Sequence, residues 1–181
     1  MKRIIAVGLL FMSFLTVRAQ EFPVKGFHVD LRTQVMTIDA LKNFATELSE
    51  MGINTLVMEW EATFPFDKHA VISNPLAYSK EDVAGFISHC DKLGIDVIPL
   101  QQCFGHVEYI LRHERYNSFK ETHELEISQV CPLKKGVVDL FADIFAEVAA
   151  LHPSEYFHIG ADETFLLGKC KWCREYAEKY G

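Results

Sequence analysis

The sequence predicts an α/β fold: the first four βα units of a TIM (β/α)8 barrel, truncated after the fourth. Three observations predict it. Short segments nearly continuous in apolar residues alternate with amphipathic helical segments, the pattern of a parallel sheet covered by helices. Polar residues collect at the C-terminal end of every strand, where a barrel builds its site. The rival doubly wound sheet needs a glycine-rich phosphate turn after its first strand, and "DLRTQVM" contains no glycine.

The elements follow in order. "VKGFHVDL" (24–31) reads as the first strand. "TIDALKNFATELSEMG" (37–52) reads as a helix, because Leu41, Phe44, Ala45 and Leu48 recur at helical spacing and Gly52 stops it. "INTLVMEW" (53–60) is the second strand. "SKEDVAGFISHCDKLG" (79–94) opens on Ser79 as N-cap with acids behind it and closes on Gly94. "IDVIPLQ" (95–101) is the third strand, and the stretch around Tyr109 and His113 is a helix with packing and surface residues. "KKGVVDLFADIFAEVAALHP" (134–153) is a helix stopped by Pro153, "EYFHIG" (155–160) is the fourth strand, and a last helix starts near Lys169. A complete barrel takes about 250 residues, so residues 20–181 read as the N-terminal half of one barrel domain.

Residues 1–19 read as a secretory signal peptide. Lys2 and Arg3 precede an apolar stretch from Ile4 to Leu15, and Ala19 supplies the small residue at the cut. The stretch is too short for a comfortable membrane span. The expectation is an exported protein (periplasmic, cell-surface or secreted) with no membrane attachment after cleavage. The chain carries a net charge of −7, and removal of the leader takes it to −10. With no basic run or basic–aromatic stripe, nucleic acid is not an expected partner.

Five cysteines form no regular disulfide framework. Cys170 and Cys173, in "CKWC", are a close pair that reads as metal ligands, a local disulfide or free thiols. A zinc site needs two further ligands beside them, and no second pair of this spacing exists. No metal and no cofactor are therefore expected.

The strand ends carry the chemistry. His28, Asp30 and Arg32 are spaced by two and share a face. Glu59, Trp60 and Glu61 end the second strand; Gln101, Gln102, His106 and Glu108 follow the third; His158, Asp162 and Glu163 follow the fourth. Of Glu59 and Glu61, one is expected to face out, and Trp60 to pack. His158, Gly160 and Asp162 share one parity, with Glu163 beyond the pleat. Two adjacent carboxylates in one cleft divide labour when one is charged and the other protonated. The plainer reading makes Asp162, Glu163 and Thr164 the cap of a helix. A metal-dependent hydrolase using His106, His158, Asp162 and Glu163 lacks any HxH or HExxH spacing.

At these residues the sequence resembles glycoside hydrolase family 20, the β-N-acetylhexosaminidases, whose fourth strand carries His-x-Gly-Gly-Asp-Glu. Here it reads His158-Ile159-Gly160-Ala161-Asp162-Glu163, with Ala161 in place of the second glycine. "INTLVMEWEATFPF", "DVIPLQQCFGHVEYILRHERY" and "HIGADETFLLG" resemble the hexosaminidase D branch more than the lysosomal one. The resemblance implies an exo-acting, retaining, substrate-assisted hydrolysis of terminal N-acetylhexosamine, with Glu163 as general acid/base and Asp162 orienting the acetamido group. It implies substrate contacts from Asp30, Arg32, Glu61, His106 and His158. His106 either borders the sugar or supports the acids, and Arg32 is either a sugar ligand or the partner of Asp30 in an ion pair. In the family, the walls of the acetamido pocket come from strands after the fourth, which leaves the activity of this chain alone open. A non-catalytic carbohydrate-binding half barrel is the alternative, and open barrel edges invite self-association. The expected partner is an N-acetylhexosamine-containing glycan or glycoconjugate.

Overall fold

The computed structural model describes residues 22–122 and 127–181. The expected signal peptide lies outside them. Three strands, β1 (Gly26–Asp30), β2 (Thr55–Glu59) and β3 (Asp96–Leu100), form one parallel sheet in the order β1-β2-β3. Helix α1 (Ile38–Glu50) connects β1 to β2, and α2 (Lys80–Lys92) connects β2 to β3. The short α3 (Glu108–Leu111), α4 (Val137–Ala149) and α5 (Lys171–Tyr180) follow.

The caps are those the sequence marks out. The Thr37 side chain accepts the Ala40 amide, and Ser79 forms a reciprocal capping box with Asp82. Gly52 and Gly94 take left-handed conformations just after α1 and α2, ending both helices.

In-register pairing puts Phe27 beside Leu56 and Val29 beside Met58, on the face that meets the helices. Phe27 meets Phe44 of α1 edge-on at 5.4 Å. Trp60 has no exposed surface and sits edge-on to Tyr78 and Phe86. Its indole N–H donates to His152 Nε2 at 3.0 Å, and His152 Nδ1 donates to the Val148 carbonyl at 2.7 Å. This chain of bonds ties the end of β2 to the end of α4 and uses both nitrogens of a neutral imidazole. The opposite face of the sheet carries His28, Asp30, Val57 and Glu59.

The fourth strand is shorter than expected. Segment 155–160 reduces to a parallel bridge between His158 and Leu100, with the His158 amide donating to Pro99 (2.9 Å) and its carbonyl accepting from Gln101 (3.0 Å). It pairs on one side only among the described residues, and Gly160 and Ala161 (φ 66° and 70°) turn the backbone out of extended geometry. No described helix is long and apolar enough to cross a membrane.

Candidate active site

The C-terminal ends of β1, β2 and β3 open onto a cleft of about 390 Å³ whose lining includes Asp30, Arg32, Glu61, His106, Tyr109 and Arg112. Four of the predicted site residues therefore meet in one place. Arg32 donates from Nε (3.0 Å) and from Nη2 (2.8 Å) to Asp30 Oδ2, while its backbone amide donates to Oδ1 (2.8 Å). Its Nε also lies 3.4 Å from Glu59. Arg32 is thus ion-paired with Asp30, as one of its two sequence readings expects, and the pair lines the cleft. Burial raises the Asp30 carboxyl, but the bonds from the Arg32 side chain and amide outweigh it and hold Asp30 below its ordinary range. The same hydrogen bond to Asp30 raises Arg32 and keeps it charged.

Glu59, one of the two acids expected at the end of the second strand, is the hub beneath the other site residues. Its side chain is 1% exposed. It accepts from His28 Nε2 (2.9 Å) and Gln102 Nε2 (3.0 Å). The expectation that either Glu59 or Glu61 faces out fails: both are buried, Glu59 at the end of β2 and Glu61 at the start of a 3-10 turn, Glu61–Thr63. Glu61 Oε1 is buried with no hydrogen-bond partner among the described residues. Burial, reinforced by Glu59, pushes the Glu61 carboxyl up to about 9. A neutral acid there presents a hydrogen-bond donor to whatever occupies the cleft.

The acid pair joins the cleft through His106. Its Nε2 lies 3.0 Å from Glu163 Oε2 and 3.5 Å from Asp162 Oδ2, and both carboxyls are more than half exposed. No helix starts at Thr164, since residues 165–168 form a turn and α5 begins only at Lys171. The capping reading of the pair is thereby removed. The parity argument also fails, because consecutive left-handed residues rather than the pleat aim the acids.

All four non-glycine residues with positive φ among the described residues lie at this site: Glu61 (43°), His106 (52°), Ala161 (70°) and Glu163 (49°). Left-handed backbone costs such residues about 1–2 kcal/mol each, and strain of this kind concentrates where structure serves chemistry. Gly105 makes the arrangement feasible: a Cβ there would stand 2.0 Å from the Asp162 carbonyl oxygen. Gly160 is equally constrained, with the Gln102 side chain 1.8 Å from where its Cβ would be.

His158 is the predicted residue that the structure sets apart. Its Nδ1 accepts the Gly160 amide at 3.0 Å, so its ring shapes the acid loop. His106, His158, Asp162 and Glu163 consequently do not gather as a ligand set. Tyr109, expected to pack, donates to the Gln102 carbonyl (2.7 Å) and also lines the cleft. Metal-type donors do gather elsewhere among the described residues, where Glu121 and Cys131 come to lie beside Cys170 and Cys173.

A parallel α/β sheet with helices on one face and an acid pair on its strand-end loops defines a chain of the (β/α)-barrel class. Residues 62–179 match the catalytic domain of glycosyl hydrolase family 20, and the chain belongs to that family. It is 27% identical over 154 residues to hexosaminidase D of Bos taurus, covering 84% of this chain and 44% of that protein. It is 26% identical over 160 residues to hexosaminidase D of Homo sapiens, covering 87% and 33% respectively. The chain thus spans less than half the length of either relative. In fold it resembles the chitobiase of Flavobacterium johnsoniae, with a TM-score of 0.75 at 20% identity over 87% of this chain and 26% of that one.

Proposed function

We propose that this chain contributes the acid-bearing part of an exo-acting β-N-acetylhexosaminidase that works by a retaining, substrate-assisted mechanism. One observation carries the reading: Asp162 and Glu163 stand side by side on a strained loop, both within reach of His106, which lines a polar cleft. Family membership supports it.

In the first step the acetamido oxygen of the terminal sugar attacks its own anomeric carbon. The glycosidic bond breaks, and the leaving oxygen takes its proton from Glu163. Asp162 holds the acetamido N–H and stabilises the positive charge developing on that group. In the second step water attacks the anomeric carbon of the oxazolinium ion and gives a proton to Glu163, while the bond from that carbon to the acetamido oxygen breaks, which restores both the acid and the acetamido group. Two inversions leave the configuration retained. Asp30, Arg32 and neutral Glu61 bind sugar hydroxyls in the cleft. His106 orients the acid pair, and His158 acts by shaping their loop rather than by touching the sugar.

The substrate is a glycan or glycoconjugate ending in N-acetylhexosamine. The test is release of p-nitrophenol from p-nitrophenyl N-acetyl-β-glucosaminide and its galacto epimer, by this chain and by the longest protein containing it. Glu163→Gln is expected to lower kcat by ~10²–10⁴-fold, the contribution of general acid–base catalysis. Turnover unaffected by that change in the active form would overturn the assignment of Glu163. Binding of the sugar without any turnover, in every form, would favour a carbohydrate-binding barrel instead. We also propose export, on the basic–apolar–small layout of residues 1–19; N-terminal sequencing of the mature protein checks it.

A further inference from the structure

We propose that Glu121, Cys131, Cys170 and Cys173 bind one zinc ion in a closed, structural, four-coordinate site. The inference goes beyond the hexosaminidase reading and does not depend on it.

The four donor atoms come from three separate stretches of chain yet lie within 4.8 Å of one another. Cys131 Sγ is 3.4 Å from Cys173 Sγ and 3.4 Å from Cys170 Sγ, and Cys173 Sγ is 3.4 Å from Glu121 Oε2. A tetrahedral ion with Zn–S of ~2.3 Å and Zn–O of ~2.0 Å sets ligand–ligand edges of ~3.8 Å for S–S and ~3.5 Å for S–O. These three separations fall within a few tenths of an ångström of those edges, and the other three are no longer than 4.8 Å.

Backbone amides already hold two of the donor groups in place. The Cys173 amide donates to Cys170 Sγ at 3.3 Å across the C-x-x-C turn at the start of α5. The Cys170 amide donates to Glu121 Oε1 at 2.9 Å, which leaves Oε2 directed at the thiols. Such outer bonds fix ligands and offset their charge.

Glu121 supplies an independent argument. It is a carboxylate with only 2% of its surface exposed, and among the described residues its side chain bonds to the Cys170 amide and the Cys173 sulfur, with no lysine or arginine in an ion pair with it. Buried carboxylates are paired or coordinate metal. A disulfide between any two of the three cysteines would leave the third thiol and the carboxylate unexplained, whereas one ion accounts for all four donors. Three thiolates and one carboxylate around a divalent ion leave a net charge of about −2. Lys134, Lys169, Lys171 and Arg174 line the adjoining hollow and answer that charge. Thiolate-rich coordination selects zinc over magnesium or calcium.

The site has a structural purpose. Glu121 and Cys131 are brought level by the antiparallel bridge between Lys120 and Val130. Cys170 lies seven residues after Glu163. The acid loop is therefore held in the sheet at His158 and anchored at its other end where the metal binds, with the Leu166 amide bonded to Gln129 between them (2.9 Å).

The experiment uses the full chain, purified under reducing conditions, with zinc measured by mass spectrometry after dialysis and cobalt(II) substituted as an optical probe. The expected result is one zinc per chain and a cobalt spectrum with thiolate charge-transfer and intense tetrahedral d–d bands. Cys131→Ser and Cys170→Ser are expected to weaken zinc binding by ~100-fold or more, and Glu121→Gln by ~10-fold with the charge-transfer band retained. Cys103→Ser, outside the cluster, leaves binding unchanged. Substoichiometric zinc in the unmodified reduced chain, or an octahedral cobalt spectrum, overturns the proposal without recourse to any variant. So does a loss in Cys103→Ser equal to that in Cys131→Ser.

Discussion

Glu61 turns its carboxyl into the cleft with one oxygen lacking a partner, and that single side chain makes a prediction in pH. Its folded value of about 9 lies above the ordinary carboxylate value of 4.5. A group raised on folding contributes its stability below the unfolded value and loses it as pH rises toward the folded value. The native state must therefore hold a proton at neutral pH that the unfolded chain has released. Glu61→Gln keeps the neutral shape and removes the proton from the equilibrium. It is expected to raise stability at pH 7–8 by about 1–3 kcal/mol and to flatten the slope between pH 4.5 and 9, read as urea midpoints across pH. An unchanged slope would assign the proton elsewhere. His152 predicts the opposite limb. Burial lowers it below 6.5, and its bonds to Trp60 and Val148 use the neutral ring. Its contribution is present above about pH 6.5 and is lost as pH falls below that. His152→Gln is expected to lessen the acid-side decline in the same titration.

At the scale of elements, the loop from His158 to Cys170 carries the acid pair, and its geometry is tight enough to test. Gly105→Ala would place a Cβ against the Asp162 carbonyl, a backbone atom that has no rotamer to escape by. We expect it to cost about 1–3 kcal/mol and to lower activity of the complete enzyme more than it lowers stability, since what moves is the acid pair. Ala161→Gly works in reverse. It relieves a residue at φ 70° and is expected to stabilise by up to about 1 kcal/mol, the gain offset in part by glycine's freedom in the unfolded chain. Thermal midpoints of the two variants against the parent chain decide both. This loop also marks the limit of what could be read from sequence. β1, β2, β3 and the helices α1, α2 and α4 were legible because burial writes periodicity and caps into them. Asp30, Arg32, Glu61 and His106 were legible as strand-end residues of one cleft. The course of the fourth strand was not, because Gly160 and Ala161 abandon the pleat on which an alternation argument depends. Glu59 was under-read because one of the two acids was expected to face out, although residues spaced by two share a face and β2 turns Glu59 to the same side as Asp30. Cys131 and Glu121 could not be joined to Cys170 and Cys173 by spacing, since ligands from separate segments share no local pattern.

At the scale of the whole molecule, the sheet has two unpaired sides among the described residues. β1 pairs only with β2, and the His158 segment pairs only with β3. Apolar side chains stand exposed near both: Val24 (65%) and Phe27 (40%) at the first, Ile159 (48%) and Phe165 (76%) at the second. An unpaired edge presents amides and carbonyls to any similar edge, and apolar neighbours add a hydrophobic gain of about 25 cal/mol per Å² buried. The opposing effect is charge, with a net of −7 that repels like chains and is screened by salt. The two effects predict a definite dependence. The chain is expected to self-associate as concentration rises, and to do so more readily at 0.5 M than at 0.05 M salt, because screening removes the repulsion and leaves the apolar gain intact. Light scattering on size-exclusion fractions measures this directly. A charged residue set into one edge, such as Phe27→Lys, should shift the association midpoint to higher concentration. Association that weakened with added salt would instead indicate charge pairing between chains, and the edges would not be its seat.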